Sequence, residues 1–331
     1  MQIPTCKQAR WGKRFRLPTT IFAAYFLGLL ALAAPPTQIY SLTWSPDGTT
    51  VALGSYKETR LVDAQTKKPI ATLSGSAEAV RAVAFSRDGK LLAAAGGLPA
   101  RKGEVKIWNV SSQTVLTTIA GHSDCIYAVA FSPDGASVAT ASYDKWIRLW
   151  DVATGKEIRA LHDHVDSIYA LAFTPDGKRL VSGAADRSVK IWDVSTGARL
   201  YTLSDPTDGV NTIALSLDGS RVAAGGLDKT IRVWKLGEKE GTLENVLIAH
   251  EDAILKLAWS PDGKYLASSS ADRTVKLFRA ADLTEVRAMA NQPDWAFGLE
   301  FSPDGKSLAA GLFNGDLEIY EVDHAKVLAS K

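Results

Sequence analysis

One phrase recurs seven times along the chain, and it limits the possible folds more than any other feature. A short apolar run leads into Ser/Thr-x-Asp-Gly, and a second apolar run follows. The instances are Ser45-Pro46-Asp47-Gly48, Ser86-Arg87-Asp88-Gly89, Ser132-Pro133-Asp134-Gly135, Thr174-Pro175-Asp176-Gly177, Ser216-Leu217-Asp218-Gly219, Ser260-Pro261-Asp262-Gly263 and Ser302-Pro303-Asp304-Gly305. Their aspartates stand 41, 46, 42, 42, 44 and 42 residues apart. A fixed period of this size marks one supersecondary unit stacked on copies of itself. The seven units, here repeats one to seven, account for residues 37–331 of the 331.

Each unit reads as four strands. In repeat three the first is Ile126–Ser132, small or apolar at every step. Pro133-Asp134-Gly135 suits a tight turn, because Pro presets φ and Gly accepts a positive one. Ser137–Ser142, Trp146–Val152 and Glu157–Leu161 follow, joined by turns at Tyr143-Asp144-Lys145 and Thr154-Gly155. The inner strands are apolar on both faces, as sheets packed between sheets require. The outer strand carries charges, as a solvent edge should.

The residues around the turns resemble the WD-repeat family, whose repeats carry Gly-His and Trp-Asp dipeptides. Gly121-His122 and Trp150-Asp151 stand complete in repeat three. Repeat four has Asp163-His164 with Trp192-Asp193, and repeat six has Ala249-His250 with Phe278-Arg279. The resemblance implies an all-β, seven-bladed β-propeller in which each blade is a four-stranded antiparallel sheet. It also implies a buried hydrogen-bonded set of His, Ser/Thr, Asp and Trp in each blade. On that pattern repeat three carries all four members, as His122, Ser142, Asp144 and Trp150. Repeat four keeps His164, Asp186 and Trp192 with Ala184 at the hydroxyl place, and repeat six keeps His250, Ser270 and Asp272. Pro35, Ser76, Pro206 and Gln292 replace the His elsewhere, so apolar packing is expected to hold those blades. The set looks like a Ser-His-Asp triad, but its recurrence inside successive units marks it as structural.

The family usually closes its ring by lending a strand from the N-terminus to the last blade. Here the first strand, Ile39–Ser45, already belongs to repeat one. Repeat seven owns four of its own: Ala296–Ser302, Ser307–Leu312, Asp316–Val322 and Lys326–Ala329. Closure is therefore expected to rest on side-chain packing between repeats seven and one.

Charge is unevenly placed. Formal net charge is +2, yet Lys7, Arg10, Lys13, Arg14 and Arg16 all precede residue 20, and no acidic residue precedes Asp47. Without those five, 33 basic residues face 36 acidic ones, which gives no electrostatic reason to expect nucleic acid. An uncharged stretch follows from Thr19 to Pro36, with Ala31-Leu32-Ala33 as a small-x-small site. Basic, apolar and small-residue regions in that order describe a secretory signal peptide over residues 1–34. An uncleaved signal-anchor is the competing reading. Its apolar heart is about 14 residues, short of the roughly 20 that span a bilayer. Either reading places the body outside the cytoplasm, periplasmic or extracellular, with the membrane met only through this segment.

No chemistry-bearing motif rises above this background. Cys-x-x-Cys-His, a Gly-rich phosphate loop and His-Glu-x-x-His are absent, so neither cofactor nor metal is expected. His162 and His164 stand two apart on one strand, which is not a complete metal site. Cys125 reads as a structural cysteine.

Function is therefore expected on a loop face. The residue seven before each turn Asp reads Tyr40, Arg81, Tyr127, Tyr169, Asn211, Leu255 and Phe297 around the ring. Trp295 lies two residues before Phe297, and the second-to-third-strand turns add Tyr56, Tyr143 and Phe313. Tyr, Trp and Arg dominate binding hot spots, so this rim is the candidate surface for a protein or peptide partner. Repeat two adds Gly96–Glu104, about four residues longer than its counterparts and expected to project as a loop bearing Arg101 and Lys102. A non-catalytic exported scaffold is the leading reading. A periplasmic propeller hydrolase or lactonase, or a small-ligand or sugar binder, is the alternative. The run Ala94-Ala95-Gly96-Gly97 with Gly103-Glu104-Val105-Lys106-Ile107-Trp108 resembles bacterial WD-repeat proteins, some joined to redox modules. An envelope redox protein is the corresponding partner expectation.

Overall fold

The computed structural model describes residues 37–322. Every regular element among them is a β-strand, and every sheet pairing is antiparallel. Repeat three forms Ile126–Phe131, Ser137–Ser142, Ile147–Asp151 and Glu157–Leu161, ordered as in the sequence. Repeats four, five and six build the same four-stranded sheet. In repeats one and two the long strand Pro69–Phe85 serves twice, as the outer strand of one sheet and the inner strand of the next. In repeat seven Ala296–Phe301, Ser307–Leu312 and Leu317–Glu321 pair. The expected fourth strand, Lys326–Ala329, lies outside the described residues, as does the N-terminal segment 1–34.

The recurring phrase has a physical basis. Ser132 Oγ donates to Asp134 Oδ1 at 2.5 Å and accepts the Ser137 N–H at 3.0 Å. Asp134 Oδ1 also accepts the Ala136 N–H, and Gly135 sits at φ 72°. The Ser132 hydrogen bond holds the Asp134 carboxyl below the usual range. A hydroxyl, a carboxylate and a glycine thus close each first hairpin.

Packing runs between sheets. Ile107, Ile126, Val129 and Trp150 form one core shared by repeats two and three. Leu149, Ile168 and Trp192 form the next, between repeats three and four. Another joins repeat one to repeat seven: Ile39, Leu42 and Trp44 pack with Ala309, Leu317 and Ile319. Glycine permits that contact, because a Cβ on Gly298 would stand 2.7 Å from Leu42 Cγ and one on Gly311 2.6 Å from Ile39 Cγ2. Hydrogen bonds add to the packing expected at this seam. Ile39 N donates to Leu312 O at 3.3 Å, Trp44 N to Glu300 Oε2 at 3.1 Å, and Trp44 Nε1 to Glu300 O at 3.1 Å. Burial pushes the Glu300 carboxyl up to about 7, against the lowering influence of Trp44 and Lys256.

Candidate binding surface

A register shift recurs at the start of the inner strands. It falls between Val80 and Ala82, Ile126 and Ala128, Ile168 and Ala170, Val210 and Thr212, Ile254 and Lys256, and Ala296 and Gly298. The residue skipped each time is Arg81, Tyr127, Tyr169, Asn211, Leu255 or Phe297. A β-bulge takes one residue out of the ladder and re-aims its side chain. The sequence position seven before each turn Asp is thus the bulged position. Tyr40 holds it in repeat one, where its N–H donates to Gly54 O.

The bulged side chains touch in series. Tyr169 meets Tyr127 edge-on at 5.2 Å between ring centroids. The Arg81 guanidinium lies over Tyr127 at 5.0 Å and over Tyr40 at 5.6 Å. Tyr40 meets Phe313 at 5.8 Å, Phe313 meets Phe297 at 5.6 Å, and Phe297 meets Trp295 at 6.1 Å. Tyr143 leans on Tyr127 at 6.3 Å. The series is an arc over repeats four, three, two, one and seven. Asn211 and Leu255 fill the remaining sector, both buried. The arc's own members stay partly open to solvent, while Tyr56, also expected on the rim, is 48% exposed with Lys57 over its ring and is not part of the series. Edge-to-face rings and a sandwiched guanidinium hold one another in place.

The insertion in repeat two is not a projecting loop. Leu91–Leu98 and Lys102–Asn109 continue the hairpin, with Leu98 opposite Lys102, so the added residues lengthen two strands. The tip is tied to repeat three: Ala100 N donates to Asp124 Oδ1, Gly103 N to His122 O, and Cys125 Sγ to Gly97 O. Gly97 and Gly103 allow this approach, since a Cβ on Gly103 would stand 2.6 Å from Asp124 O. Arg101 and Lys102 are exposed, with Lys102 Nζ 3.8 Å from Glu104.

The buried polar set also differs from expectation. His122 Nε2 meets Thr140 Oγ1 at 2.7 Å, Trp150 Nε1 donates to the same oxygen at 2.8 Å, and His122 Nδ1 meets Asp144 at 2.9 Å. The hydroxyl member is thus Thr140, not Ser142. Ser142 is bonded instead to the carbonyls of Asp124 and Cys125. Repeat four is complete after all. Ser182 Oγ bridges His164 Nε2 at 2.7 Å and Trp192 Nε1 at 2.9 Å, with Asp186 on Nδ1 at 2.7 Å. In repeat six the hydroxyl is Ser268, 2.6 Å from His250 Nε2, while Ser270 bonds Asp252 O and Asp272 accepts from His250 Nδ1. Residues two apart on a strand share a face, so sequence alone left two candidates. The spacing that separates them is constant, 18 residues after the His and, where there is a Trp, ten before it.

Two repeats without the His replace it rather than relying on apolar packing alone. Trp234 Nε1 donates to Asp205 Oδ2 at 2.9 Å, and Tyr320 Oη to Gln292 Oε1 at 2.7 Å. In repeat two Ser76 and Ala94 leave Trp108 Nε1 buried without a partner. Burial works against ionisation of Asp186, but hydrogen bonds from His164 and Ser188 outweigh it and hold the carboxyl at about 2. Burial lowers the His164 pKa, so its ring is neutral and its Nε2 accepts from Ser182. His162 stacks on Trp146 at 4.2 Å, turned away from this set.

The sequence pattern of the WD domain, G-beta repeat (WD40) matches residues 67–109, 113–151, 155–193, 197–235 and 241–279, which are repeats two to six and more than half the chain. The chain belongs to the WD40 repeat family. No curated protein matches it as a relative. WD40 domains generally mediate protein–protein interactions and are mostly non-enzymatic. Each matched segment starts at or just before one outer strand and ends at the third strand of the next sheet. The WD40 unit therefore straddles two sheets, as Pro69–Phe85 does in one unbroken strand. Both the His–hydroxyl–Trp sets and the bulged residues Arg81, Tyr127, Tyr169, Asn211 and Leu255 lie inside these units.

Proposed function

We propose that the chain is a seven-bladed WD40 propeller, exported and non-catalytic, that binds a protein or peptide partner on the aromatic rim. The observation that carries the reading is the bulge repeated in six repeats, three of whose residues are aromatic, with Tyr40 at the same position of repeat one. Closure into a ring of seven is supported by the core and hydrogen bonds that join repeat one to repeat seven. Export is supported by the order of basic, apolar and small residues before residue 37. A non-catalytic role is supported by the burial of the His-Asp sets, whose His rings are closed off between strands. An envelope redox protein is the partner class to test first, on the resemblance of repeat two.

Affinity capture from a cell envelope fraction tests the reading. The wild-type body, Tyr127→Ala/Tyr169→Ala and Phe297→Ala serve as baits, each first checked for an unchanged melting profile. The expected result is one partner lost from both rim variants and cross-linked to rim residues in the wild type. Capture indifferent to both variants overturns the rim. Mass spectrometry of the mature N-terminus is expected to show cleavage near Ala33; an intact N-terminus leaves the signal-anchor.

A further inference from the structure

Five loops that lead into the inner strands carry an aspartate at one equivalent position: Asp124, Asp166, Asp208, Asp252 and Asp294. In each, Oδ1 accepts the N–H of the following residue at 2.7–2.8 Å, and no ion pair reaches any of them among the described residues. The aspartates that precede the third strands differ, since Asp144, Asp186 and Asp272 are engaged by histidine and Asp228 by Arg232. Around this sector of the mouth, that of Asn211 and Leu255, loops 162–167, 204–209, 249–253 and 291–295 contain no Lys or Arg. The outer turns of the sector carry Arg187, Lys229 and Arg273, and Lys229 spends its Nζ on Glu251 O. Carboxylates therefore outnumber cations on the loops around this sector.

A second observation falls in the same sector. Asn211 is 8% exposed, and the bulge between Val210 and Thr212 sets it at the mouth position. Its Nδ2 is committed to Ile254 O at 2.8 Å, while its Oδ1 is buried without a donor. A buried acceptor left unmade costs free energy that an incoming N–H donor recovers. Leu227 stands against Gly209, two residues before Asn211, Leu255 holds the same bulged position in the next repeat, and Tyr169 and Phe297 hold it in the repeats on either side.

We propose that this sector receives a lysine or arginine side chain of the partner, so that the WD40 rim recognises a basic peptide segment. The inference rests on the rim reading above. The aliphatic stem packs on Leu227 and Leu255, as long cationic side chains do on apolar surface. The N–H donors reach Asn211 Oδ1, and the aspartate ring neutralises the charge and steers its approach.

A random dodecapeptide library displayed on phage and selected on the intact protein tests this. The best binder is then labelled with fluorescein, and its affinity is read by anisotropy. The selected peptides are expected to share a Lys or Arg, and norleucine in its place is expected to weaken binding about tenfold or more. Asn211→Leu, and separately Asp166→Asn/Asp208→Asn/Asp252→Asn, are expected to weaken it comparably, the triple variant also flattening the salt dependence. Phe297→Ala is the control for the rim. Peptides weakened by Phe297→Ala that share no cation overturn the inference and leave the rim standing. Peptides indifferent to every variant overturn both, and a selection that yields no binder overturns the inference.

Discussion

Replacing Ser182 with Ala removes one oxygen atom on which two buried groups depend. In the neutral state Trp192 Nε1–H donates to Ser182 Oγ, the Ser182 hydroxyl donates to His164 Nε2, and His164 Nδ1–H donates to Asp186. Ser182 is fully buried, Trp192 is 2% exposed and His164 1% exposed, so water does not replace the lost atom without a cavity. A buried donor or acceptor left unsatisfied costs about 1–3 kcal/mol, and here there is one of each. Ser182→Ala is therefore expected to cost about 2–5 kcal/mol. At roughly 2 °C per kcal/mol for a domain of this size, the melting temperature falls by about 4–10 °C.

The comparison variant is Ser142→Ala, which leaves the Thr140 hydroxyl in place and removes a donor to two carbonyls and an acceptor of the Asp144 N–H. Urea unfolding of both variants gives the comparison, and Ser182→Ala/Trp192→Phe completes a cycle. In that double variant the Trp donor is gone, so the cost of the missing hydroxyl should shrink by about 1 kcal/mol or more. Strict additivity in the cycle refutes the argument that the hydroxyl is the hub.

Three further perturbations follow from the same geometry. Ala94→Ser supplies the oxygen that Trp108 Nε1 lacks, at the place of Ser182 beside a small buried void lined by Ser76, Glu78 and Glu104, and is expected to stabilise by about 1 kcal/mol in urea unfolding; a loss of stability refutes it. Glu300 titrates at about 7 when folded against an ordinary 4.5, so the folded state prefers its protonated form. Its contribution is full below about pH 4.5 and is lost as pH rises through 7. Glu300→Gln should therefore match wild type near pH 4.5 and exceed it by about 2–3 kcal/mol at pH 8, and a pH-independent difference refutes the shift. Gly226→Ala drives a Cβ to 1.9 Å from Gly209 O and is expected to destabilise by about 1–3 kcal/mol, read as a lower urea midpoint.

The strands, hairpin turns and sheet order were legible because each repeat states them again, and a turn such as Pro133-Asp134-Gly135 admits few geometries. The rim positions were legible as a column seven residues before the turn Asp. Their mechanism was not, because a bulge is a property of the pairing register, and Tyr127 looks like any strand residue until Ile126 and Ala128 are seen opposite Ser142 and Ala141. The insertion misled for a related reason. Glycines at 96, 97 and 103 read as loop, whereas they serve close approach to Ala79, Lys102 and Asp124 within paired strands. The hydroxyl of each buried set was misassigned by two residues, the one error that keeps a side chain on the same face.

The two sets of polar and aromatic residues answer to different demands, and this explains why one is eroded and the other is not uniform. A buried His–hydroxyl–Trp set only has to satisfy its own members, so Asp205 for Trp234 and Gln292 for Tyr320 are adequate local replacements. Even an orphaned Trp108 Nε1 is carried by the surrounding apolar core. The bulged residues face the mouth together, so each is judged by what the whole mouth presents. Aromatic rings on repeats four, three, one and seven, the Arg81 guanidinium on repeat two, and Asn211 and Leu255 on repeats five and six make that mouth asymmetric. If the proposed partner enters there, an asymmetric mouth on a nearly symmetric frame would fix its orientation, since only one rotation would bring a donor to Asn211 and apolar surface to Tyr169 and Phe297.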